Sequence, residues 1–316
     1  MSAQKDTQKL CHEKSWNLKR GKCGIYRITV FITGKRKHSV VFDCASTYAG
    51  ASLNKELLQG PDLTNTLLGV LIRFRQGPVA LMTDIKGMFH QVRVAKDHVN
   101  FLRFLWWPDV DISKDLIAHR MLVHIFGAVS SPSCATHALL KTADDNEDPK
   151  EVINTIRHNF YVDDCLKSIN SRQQAISLYR QLTEVCAKGG FRLNKWICND
   201  RAVLSQIPEE NRDKVVKTLD LSRDQLPMER ALGVECDVEH DVFTFSIANK
   251  HKPLTRHGIL SALSSIYDPL GFLAPVIPPA KQILQHLCKM KFSWDETIPL
   301  ELAQERQRWV DDLVST

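Results

Sequence analysis

Three aspartates end apolar segments, where their carboxylates could act together on a phosphate. Asp84 closes the run PVALMTD, and Asp163 and Asp164 close NFYVDD. A carboxylate buried without a partner is costly, and a second negative charge beside it adds to that cost. A divalent cation relieves both problems, and hard oxygen ligands favour Mg²⁺. The pattern therefore indicates two-ion chemistry at phosphorus, although a single aspartate at a strand end is more often a turn residue.

The strands that would position these aspartates are predicted from the apolar pattern. Pro78–Asp84 is nearly continuously apolar, which is typical of a strand buried on both faces. Asn159–Asp164 followed by Cys165–Ile169 predicts a hairpin with the paired aspartates at its turn. Further strands are predicted at Ile25–Thr33, Val40–Asp43, Phe101–Trp107, His119–Ile125, Phe191–Trp196, Ala231–Val238 and Val242–Ile247.

Helices are predicted where apolar residues recur with helical spacing between Pro, Gly or capping residues. They are Asp62–Arg75 with Asp62 near its start, Ser133–Ala143, Ser171–Lys188, Leu254–Ile266, Pro278–Met290 and Pro299–Leu313. The acidic stretch Ala143–Pro149 is predicted to be a loop. The chain is thus expected to be α+β up to about residue 247 and helical beyond a boundary near 248–254.

The composition excludes several classes of protein. Of 316 residues, 43% are hydrophobic and 25% are charged, which is a normal globular balance. No apolar run is long enough to span a membrane, and the N-terminus lacks the apolar core of a secretory signal. Nine cysteines without a C-x-x-C pair and twelve histidines without H-E-x-x-H argue against zinc and against a disulfide framework. We expect a reducing intracellular compartment, cytoplasmic, nuclear or both.

Positive charge is concentrated at the N-terminus. The net charge is +6, yet residues 1–42 hold ten Lys and Arg residues against Asp6 and Glu13, so the rest of the chain is slightly acidic. A basic arm suits a polyanion such as nucleic acid, and a solvated tail without a partner explains the same charge equally well.

The paired aspartates belong to a motif that resembles a known family. Tyr161-Val162-Asp163-Asp164 resembles the YxDD box of reverse transcriptases, and the surrounding blocks occur in the order that these enzymes have. Those blocks are DIKGMFHQVRV (84–94), FGAVSSP (126–132), GFRLNKW (190–196) and LGV (232–234). Longer segments resemble BEL/Pao-type LTR retrotransposon polyproteins, and they are VVFDCASTYAGASLN (40–54), LLQGPDLTN (57–65), ILSALSSIYDPLGFLAPV (259–276) and FSWDETIP (292–299).

This resemblance implies a right-hand polymerase fold of the α+β class. It has a palm with a small antiparallel sheet backed by helices, partial fingers, and a helical thumb-like C-terminal part. Residues 1–36 would form a basic, poorly patterned segment, residues 37–247 the partial fingers and palm, and residues 248–316 a thumb- or connection-like region.

The resemblance also implies the chemistry of an RNA-directed DNA polymerase. Asp84, Asp163 and Asp164 would hold two Mg²⁺ ions, for which Mn²⁺ could substitute, with the backbone carbonyl of Ile85 as a further ligand. The reaction would join a dNTP to a primer 3′-hydroxyl, and the partners would be an RNA or DNA template–primer duplex and the dNTP, with no membrane.

Several other positions match residues of the family that contact the nucleotide or primer. Phe89 would exclude a 2′-hydroxyl by its bulk, although core packing explains it too. Phe126 and Gly127 would lie near the base and ribose. Lys195 would protonate pyrophosphate, with a solvent-facing lysine as the alternative.

The primer end would meet two more of these positions. Tyr161 would lie beside it, or be a half-buried aromatic residue of the sheet. Gly233 would allow the primer strand to approach closely, or be a simple turn glycine.

The sequence departs from the family in its fingers. Ser39 stands where an Arg usually grips the triphosphate, and a hydroxyl lacks the charged fork of guanidinium. Lys37 or its neighbours Lys35 and Arg36 could substitute. Residues 1–36 do not resemble the family, and protease, RNase H-like and integrase patterns are missing, so a retroelement fragment is expected. The alternatives are an inactive remnant that binds nucleic acid and a metal-dependent phosphohydrolase.

Overall fold

A computed structural model describes residues 28–33, 37–47, 50–111, 113–146, 149–217, 219–221, 223–226, 228–245 and 252–315. The chain forms two compact units, one of Met1–Gly60 with Phe89–Pro132 and one of Pro61–Met88 with Ser133–Thr316. Within the described residues, no helix is long and apolar enough to cross a membrane.

Strands and helices are interspersed along the described residues up to Thr244, and helices follow from Arg256 onward. The strands are β1 (Ile28–Thr33), β2 (Lys37–Phe42), β3 (Val79–Ile85), β4 (Arg103–Trp106), β5 (Ile117–Arg120), β6 (Phe160–Tyr161), β7 (Asp164–Ile169), β8 (Leu193–Cys198), β9 (Met228–Ala231), β10 (Val234–Asp237) and β11 (Val242–Thr244). The helices are α1 (Leu53–Glu56), α2 (Leu67–Phe74), α3 (Ser131–Asp144), α4 (Lys150–His158), α5 (Arg172–Lys188), α6 (Arg201–Ser205), α7 (Lys214–Lys217), α8 (Arg256–Ser264), α9 (Pro278–Lys289) and α10 (Leu300–Ser315).

The first unit contains two antiparallel hairpins, β1–β2 and β4–β5. Its core is made of Phe42, Cys44, Leu53, Leu102, Ile125 and Ala128. Phe104 of β4 packs edge-on against Phe42, with ring centroids 5.2 Å apart. Because side chains alternate between the two faces of a strand, this contact fixes which face of β4–β5 is turned away from the core.

A four-stranded antiparallel sheet in the order β6–β7–β3–β8 forms the centre of the second unit. Helix α2 buries Val70, Leu71 and Phe74 against Ala80 of β3 and Leu166 of β7. Helix α5 contributes further buried residues, and its Tyr179 packs edge-on against Trp196 of β8 at 5.0 Å. These contacts hold β3, β7 and β8 in a fixed register.

The C-terminal residues are helical. Helices α8, α9 and α10 pack through an apolar cluster of Ile259, Ile283, Leu287, Ile298 and Leu302, and a neighbouring cluster contains Trp309. The indole Nε1 of Trp309 donates a 2.8 Å hydrogen bond to the carbonyl oxygen of Val276. The helices predicted at Leu254–Ile266, Pro278–Met290 and Pro299–Leu313 are thereby confirmed with small shifts at their ends.

The small antiparallel sheets and ten helices of the described residues agree with the predicted mixture of strands and helices. The strand Pro78–Asp84, the hairpin around the paired aspartates and the helix Ser171–Lys188 are confirmed as β3, β6–β7 and α5. The division into fingers, palm and thumb stays a prediction.

Three predicted elements differ clearly from the observed ones, other elements differ only by a few residues at their ends, and one helix of nine residues was not predicted. The helix predicted at Asp62–Arg75 begins at Leu67, because Thr66 caps it by accepting from the N–H of Gly69, while Asp62 forms a separate turn with Thr64. Helix α4 was not predicted from the sequence, and it buries Val152 and Ile156.

The other two errors concern strands. The strand predicted at His119–Ile125 lies earlier, at β5, because it pairs in register with β4. The strand predicted at Ala231–Val238 is two strands, β9 and β10, separated by a tight turn. Both turn residues, Leu232 and Gly233, have positive φ, which matches a type I′ hairpin turn.

Candidate metal-binding site

The three predicted aspartates lie together at one end of the central sheet. Asp84 of β3 pairs directly with Asp164 of β7, and opposite residues of antiparallel strands have Cβ atoms about 5 Å apart. The N–H of Ile85 donates a 2.8 Å hydrogen bond to the carbonyl oxygen of Asp163. The hairpin turn therefore places Asp163 and Asp164 beside the end of β3.

A strained turn presents the paired aspartates. Tyr161 pairs with Asp164, so Val162 and Asp163 form the two-residue turn between β6 and β7. Val162 has φ of 57°, a left-handed conformation that is rare for a β-branched residue and costs about 1–3 kcal/mol. The packed sheet on one side of this turn holds the backbone in that conformation.

A β-bulge in β8 brings two consecutive side chains to the same aspartate. Between Met82 and Asp84 the register shifts, so that Asn194 pairs with Asp84 while Ile197 pairs with Met82. Lys195 lies in this irregularity with φ of 53°. In a regular strand Asn194 and Lys195 would point to opposite faces, and a bulge redirects one of them.

Asp84 is engaged by both of these side chains. The Nζ of Lys195 forms an ion pair with an Asp84 carboxylate oxygen. In the amide orientation that satisfies its hydrogen bonds, Asn194 donates to the main-chain oxygen of Asp84 at 3.2 Å and also to Asp84 Oδ1. Thr83 fixes the bulge, since its hydroxyl donates a 2.7 Å hydrogen bond to the carbonyl oxygen of Asn194.

The electrostatics of this cluster favour a compensating positive charge. Burial, with added repulsion from Asp163 and Asp84, raises the pKa of Asp164 to about 6. Burial also raises the pKa of Asp163, and the charge of Asp84 adds to that shift. Lys195 opposes both shifts, and its hydrogen bond to Asp84 raises the pKa of its own ammonium group. The cluster therefore holds more negative charge than its single lysine neutralises.

The donor set fits magnesium in its chemistry, since it consists of three hard carboxylates at one sheet end. Across the described ranges, however, no three His, Cys, Asp or Glu side chains form a group that could hold a metal ion as they stand. Asp84 is turned toward Lys195 and Asn194 instead. Metal binding would thus require the carboxylate of Asp84 to exchange the ammonium group of Lys195 for the ion.

Two further predicted site residues lie close to this cluster. Ile85 is fully buried at the end of β3, and the role of its carbonyl as a ligand stays a prediction. Tyr161 is half-buried and packs against the apolar cluster of α2, β3 and β7, which agrees with the alternative of an aromatic residue on the sheet.

Phe89, Phe126 and Gly127 come together in the first unit. The rings of Phe89 and Phe126 lie 4.7 Å apart, and Phe89 is buried while Phe126 is 39% exposed. Gly127 has φ of 99°, and a Cβ there would lie only 2.4 Å from the carbonyl oxygen of Phe42. Glycine is therefore required at 127 by backbone packing, whatever else the residue contacts.

The remaining predicted residues lie in β2 and in the turn between β9 and β10. Lys37 and Ser39 lie in β2, opposite Thr33 and Phe31, and most of the basic arm lies outside the described residues. A Cβ on Gly233 would lie 2.8 Å from a ring atom of Tyr267. The observed close neighbour of Gly233 is thus an aromatic side chain of the same unit.

One residue of this cluster, Asn194, was missed by the sequence analysis. The only signal was its position beside Lys195 in the block GFRLNKW. A regular strand would have placed it away from Lys195, and the bulge that overrides this alternation depends on tertiary packing.

The chain is similar to a protein family in one region and to solved structures over most of its length. Residues 255–316 match the family described as Pao retrotransposon-like RNaseH-like domain. No curated protein matches the chain. The region that matches was predicted to be thumb- or connection-like, and that assignment stays a prediction beside the RNase H-like description of the family.

Solved structures share the fold across most of the chain. The foamy viral protease–reverse transcriptase dRH in complex with double-stranded DNA has a TM-score of 0.61 and 15% identity, covering 94% of this chain and 44% of that chain. Foamy viral protease–reverse transcriptase with double-stranded DNA has a TM-score of 0.59 and 14% identity, with coverages of 94% and 52%. Its complex with an RNA/DNA hybrid has a TM-score of 0.56 and 14% identity, with coverages of 92% and 33%. The chain thus spans about half the length of these proteins or less.

Proposed function

We propose that the chain is an RNA-directed DNA polymerase domain that transfers a nucleotide from a dNTP to a primer 3′-hydroxyl. The observation that carries this proposal is the meeting of Asp84, Asp163 and Asp164 at one sheet end. The fold likeness to a foamy viral protease–reverse transcriptase supports it. Since related structures contain double-stranded DNA or an RNA/DNA hybrid, a template–primer duplex is the proposed partner.

The three aspartates would hold two magnesium ions, with manganese as a substitute. When bound, the ions would neutralise phosphate charge and make the primer hydroxyl a better nucleophile. The residues prepare for this by concentrating negative charge in a partly buried position, which penalises their own ionisation and favours a divalent cation.

Lys195 has two roles in this proposal. Without substrate its ammonium group balances Asp84. Because that contact raises the pKa of the ammonium group, Lys195 stays protonated at neutral pH. Its side chain is 56% exposed, so it could turn toward the leaving pyrophosphate and donate a proton or a charge-assisted hydrogen bond.

The paired rings of Phe89 and Phe126 are proposed to select the sugar and position the base. Phe126 is exposed and rests on the buried Phe89, so Phe89 acts as a rigid support or as the steric gate itself. If Phe89 is the gate, Phe89→Ala admits ribonucleotides, while the same change at the exposed Phe101 leaves sugar selection unaltered. Unchanged selection in Phe89→Ala would restrict that residue to core packing.

A catalytically inactive, retroelement-derived protein that binds nucleic acid is the second candidate. Ser39 favours it, since a hydroxyl replaces the guanidinium fork that would grip a triphosphate. A nuclease centre in the region of the RNase H-like match has less support. The described residues from 255 onward are helical apart from loops, and none of their acidic groups forms a metal-binding set.

Primer extension on an RNA template with Mg²⁺ tests the proposal. The native chain should extend the primer, and Asp163→Asn should lower the rate at least about a hundredfold by removing a metal ligand. Asp115→Asn, an exposed aspartate of the first unit, is the matched control and should extend normally. Equal extension by Asp163→Asn would contradict the proposal, and duplex binding without any extension would favour the second candidate.

A further inference from the structure

The hairpin β4–β5 carries two arginines directly opposite each other. Arg103 pairs with Arg120 across the strands, and the next pair is Phe104 with His119. Phe104 packs on Phe42 in the core. Since side chains alternate, both guanidinium groups lie on the face of the hairpin that is turned away from this core, and Arg120 is exposed.

This pair is electrostatically unfavourable by itself. Like charges directly opposite each other destabilise a strand pair. Within the ranges that the structure describes, neither guanidinium forms an ion pair with a carboxylate. Instead, Arg103 Nη2 and Arg120 Nη1 each donate a 3.1 Å hydrogen bond to the same oxygen, Oδ1 of Asn100.

Asn100 orients the pair without neutralising it. A neutral amide oxygen takes one N–H from each guanidinium, and the remaining N–H groups stay available. The loop at the hairpin tip contains Asp109, Asp111 and Asp115, of which Asp109 pairs with Lys114 at 2.7 Å and Asp111 accepts from Ser113. Positive charge is therefore concentrated at the base of the hairpin, while the loop at its tip is net acidic.

We propose that Arg103 and Arg120 bind a phosphate of a nucleic-acid backbone, with Asn100 as the residue that positions them. Two planar guanidinium forks held by a common acceptor match the tetrahedral oxygens of a phosphodiester. The bound anion supplies the negative charge that the pair lacks. The inference rests on the proposed function for the identity of the polyanion, and it adds a contact surface that none of the polymerase motifs contains.

Equilibrium binding to a fluorescent primer–template duplex, in EDTA and without nucleotides, tests the inference. Arg120→Ala and Asn100→Asp should each weaken binding about tenfold at low salt. Each should also lower the slope of log K against log salt by about one, the value expected for one lost phosphate contact. Lys114→Ala, which makes the same change in net charge on the same hairpin, should stay within about twofold of the native chain.

Asn100→Asp separates binding from folding. A carboxylate between the two arginines should raise the melting temperature while weakening duplex binding, because it takes the place of the phosphate. A purely structural role for Asn100 would move stability and affinity in the same direction.

Duplex affinity and salt slope that match Lys114→Ala in both variants would overturn the inference. Binding of tripolyphosphate to the same variants should be measured as well. If the variants lose tripolyphosphate binding but keep duplex affinity, the site takes a free polyphosphate and the inference is overturned. Because metal and nucleotide are left out, a chain without polymerase activity can still confirm phosphate binding by Arg103 and Arg120. If the native chain is an active polymerase but both variants bind the duplex as the native chain does, only this inference is refuted.

Discussion

The acidic sheet end and the arginine hairpin are two regions that place like charges directly opposite each other. Asp84 faces Asp164 across β3 and β7, and Arg103 faces Arg120 across β4 and β5. An asparagine contacts charged groups in both regions. The acidic end is the more buried of the two regions. It also contains a residue of opposite charge, Lys195, which forms an ion pair with Asp84.

The difference shows how a chain can keep charges that lower its stability. At the acidic end, burial makes repulsion strong enough to shift a pKa. At the hairpin, where Arg120 is exposed and Arg103 is half-buried, solvent screens much of the repulsion. An internal charge of opposite sign is therefore needed at the first region and not at the second. Lys195→Met, Asp164→Asn and Arg120→Ala test that contrast through the free energy of unfolding.

Lys195→Met should have the largest effect. It leaves the carboxylate of Asp84, whose side chain is 16% exposed, without its ion-pair partner, and it keeps most of the aliphatic length of the lysine. We expect a loss of about 2 kcal/mol in the free energy of unfolding. Denaturant unfolding measures it, with Lys114→Met as the control because that ion pair is exposed and contributes less than about 0.5 kcal/mol. Equal losses in the two variants would mean that the acidic end needs no internal cation.

Asp164→Asn should stabilise the chain. Its folded-state pKa of about 6 lies above the ordinary value of 3.8, so the folded state holds more protons than the unfolded state between these values. Stability therefore falls as pH rises from about 4 to about 6, and Asp164→Asn removes this loss. We expect a gain of about 1–2 kcal/mol above pH 6, a figure reduced for partial solvent screening.

Unfolding curves across this pH range provide the check on Asp164→Asn. The variant should show a flatter dependence of stability on pH than the native chain, and Asp115→Asn should leave the dependence unaltered. A variant that is less stable than the native chain above pH 6 would show that neighbouring groups already stabilise the negative charge of Asp164.

Arg120→Ala should have the smallest effect. Removal of one arginine relieves the repulsion across β4 and β5, for a gain of about 0.2–1 kcal/mol. The gain should shrink as salt is added, because Arg120 is exposed to solvent. Thermal unfolding at low and high salt measures this, and a clear loss of stability at low salt would show that the hydrogen bond from Arg120 to Asn100 outweighs the repulsion between the two arginines.

The positions of the aspartates could be predicted from the sequence because their strands are short, apolar and locally specified. Pro78–Asp84 and Asn159–Ile169 are buried runs with carboxylates at their ends, and antiparallel pairing brings those ends together. The two-residue turn within YVDD fixes the register between β6 and β7. The sequence therefore predicted which carboxylates meet, although it did not reveal that Lys195 already engages one of them.

The features that escaped prediction depend on tertiary contacts or on weak local signals. The bulge at Lys195 requires the packing of Trp196 against Tyr179 and the hydrogen bond from Thr83. The pairing of Arg103 with Arg120 belongs to the β4–β5 ladder, and the packing of Phe104 on Phe42 determines which face of that ladder meets the core. Helix α4 is only nine residues long, and its apolar pattern consists of just Val152, Ile153 and Ile156, next to an acidic loop.

Manganese binding is the most direct test of the claim that Asp84, Asp163 and Asp164 share one two-ion centre. Mn²⁺ should be counted by electron paramagnetic resonance on the chain with a primer–template duplex and a non-hydrolysable dNTP analogue. We expect two bound ions per chain, and we expect Asp84→Asn and Asp163→Asn to lose at least one each, while Asp115→Asn retains both. Undiminished Mn²⁺ binding in Asp84→Asn and Asp163→Asn would contradict the account.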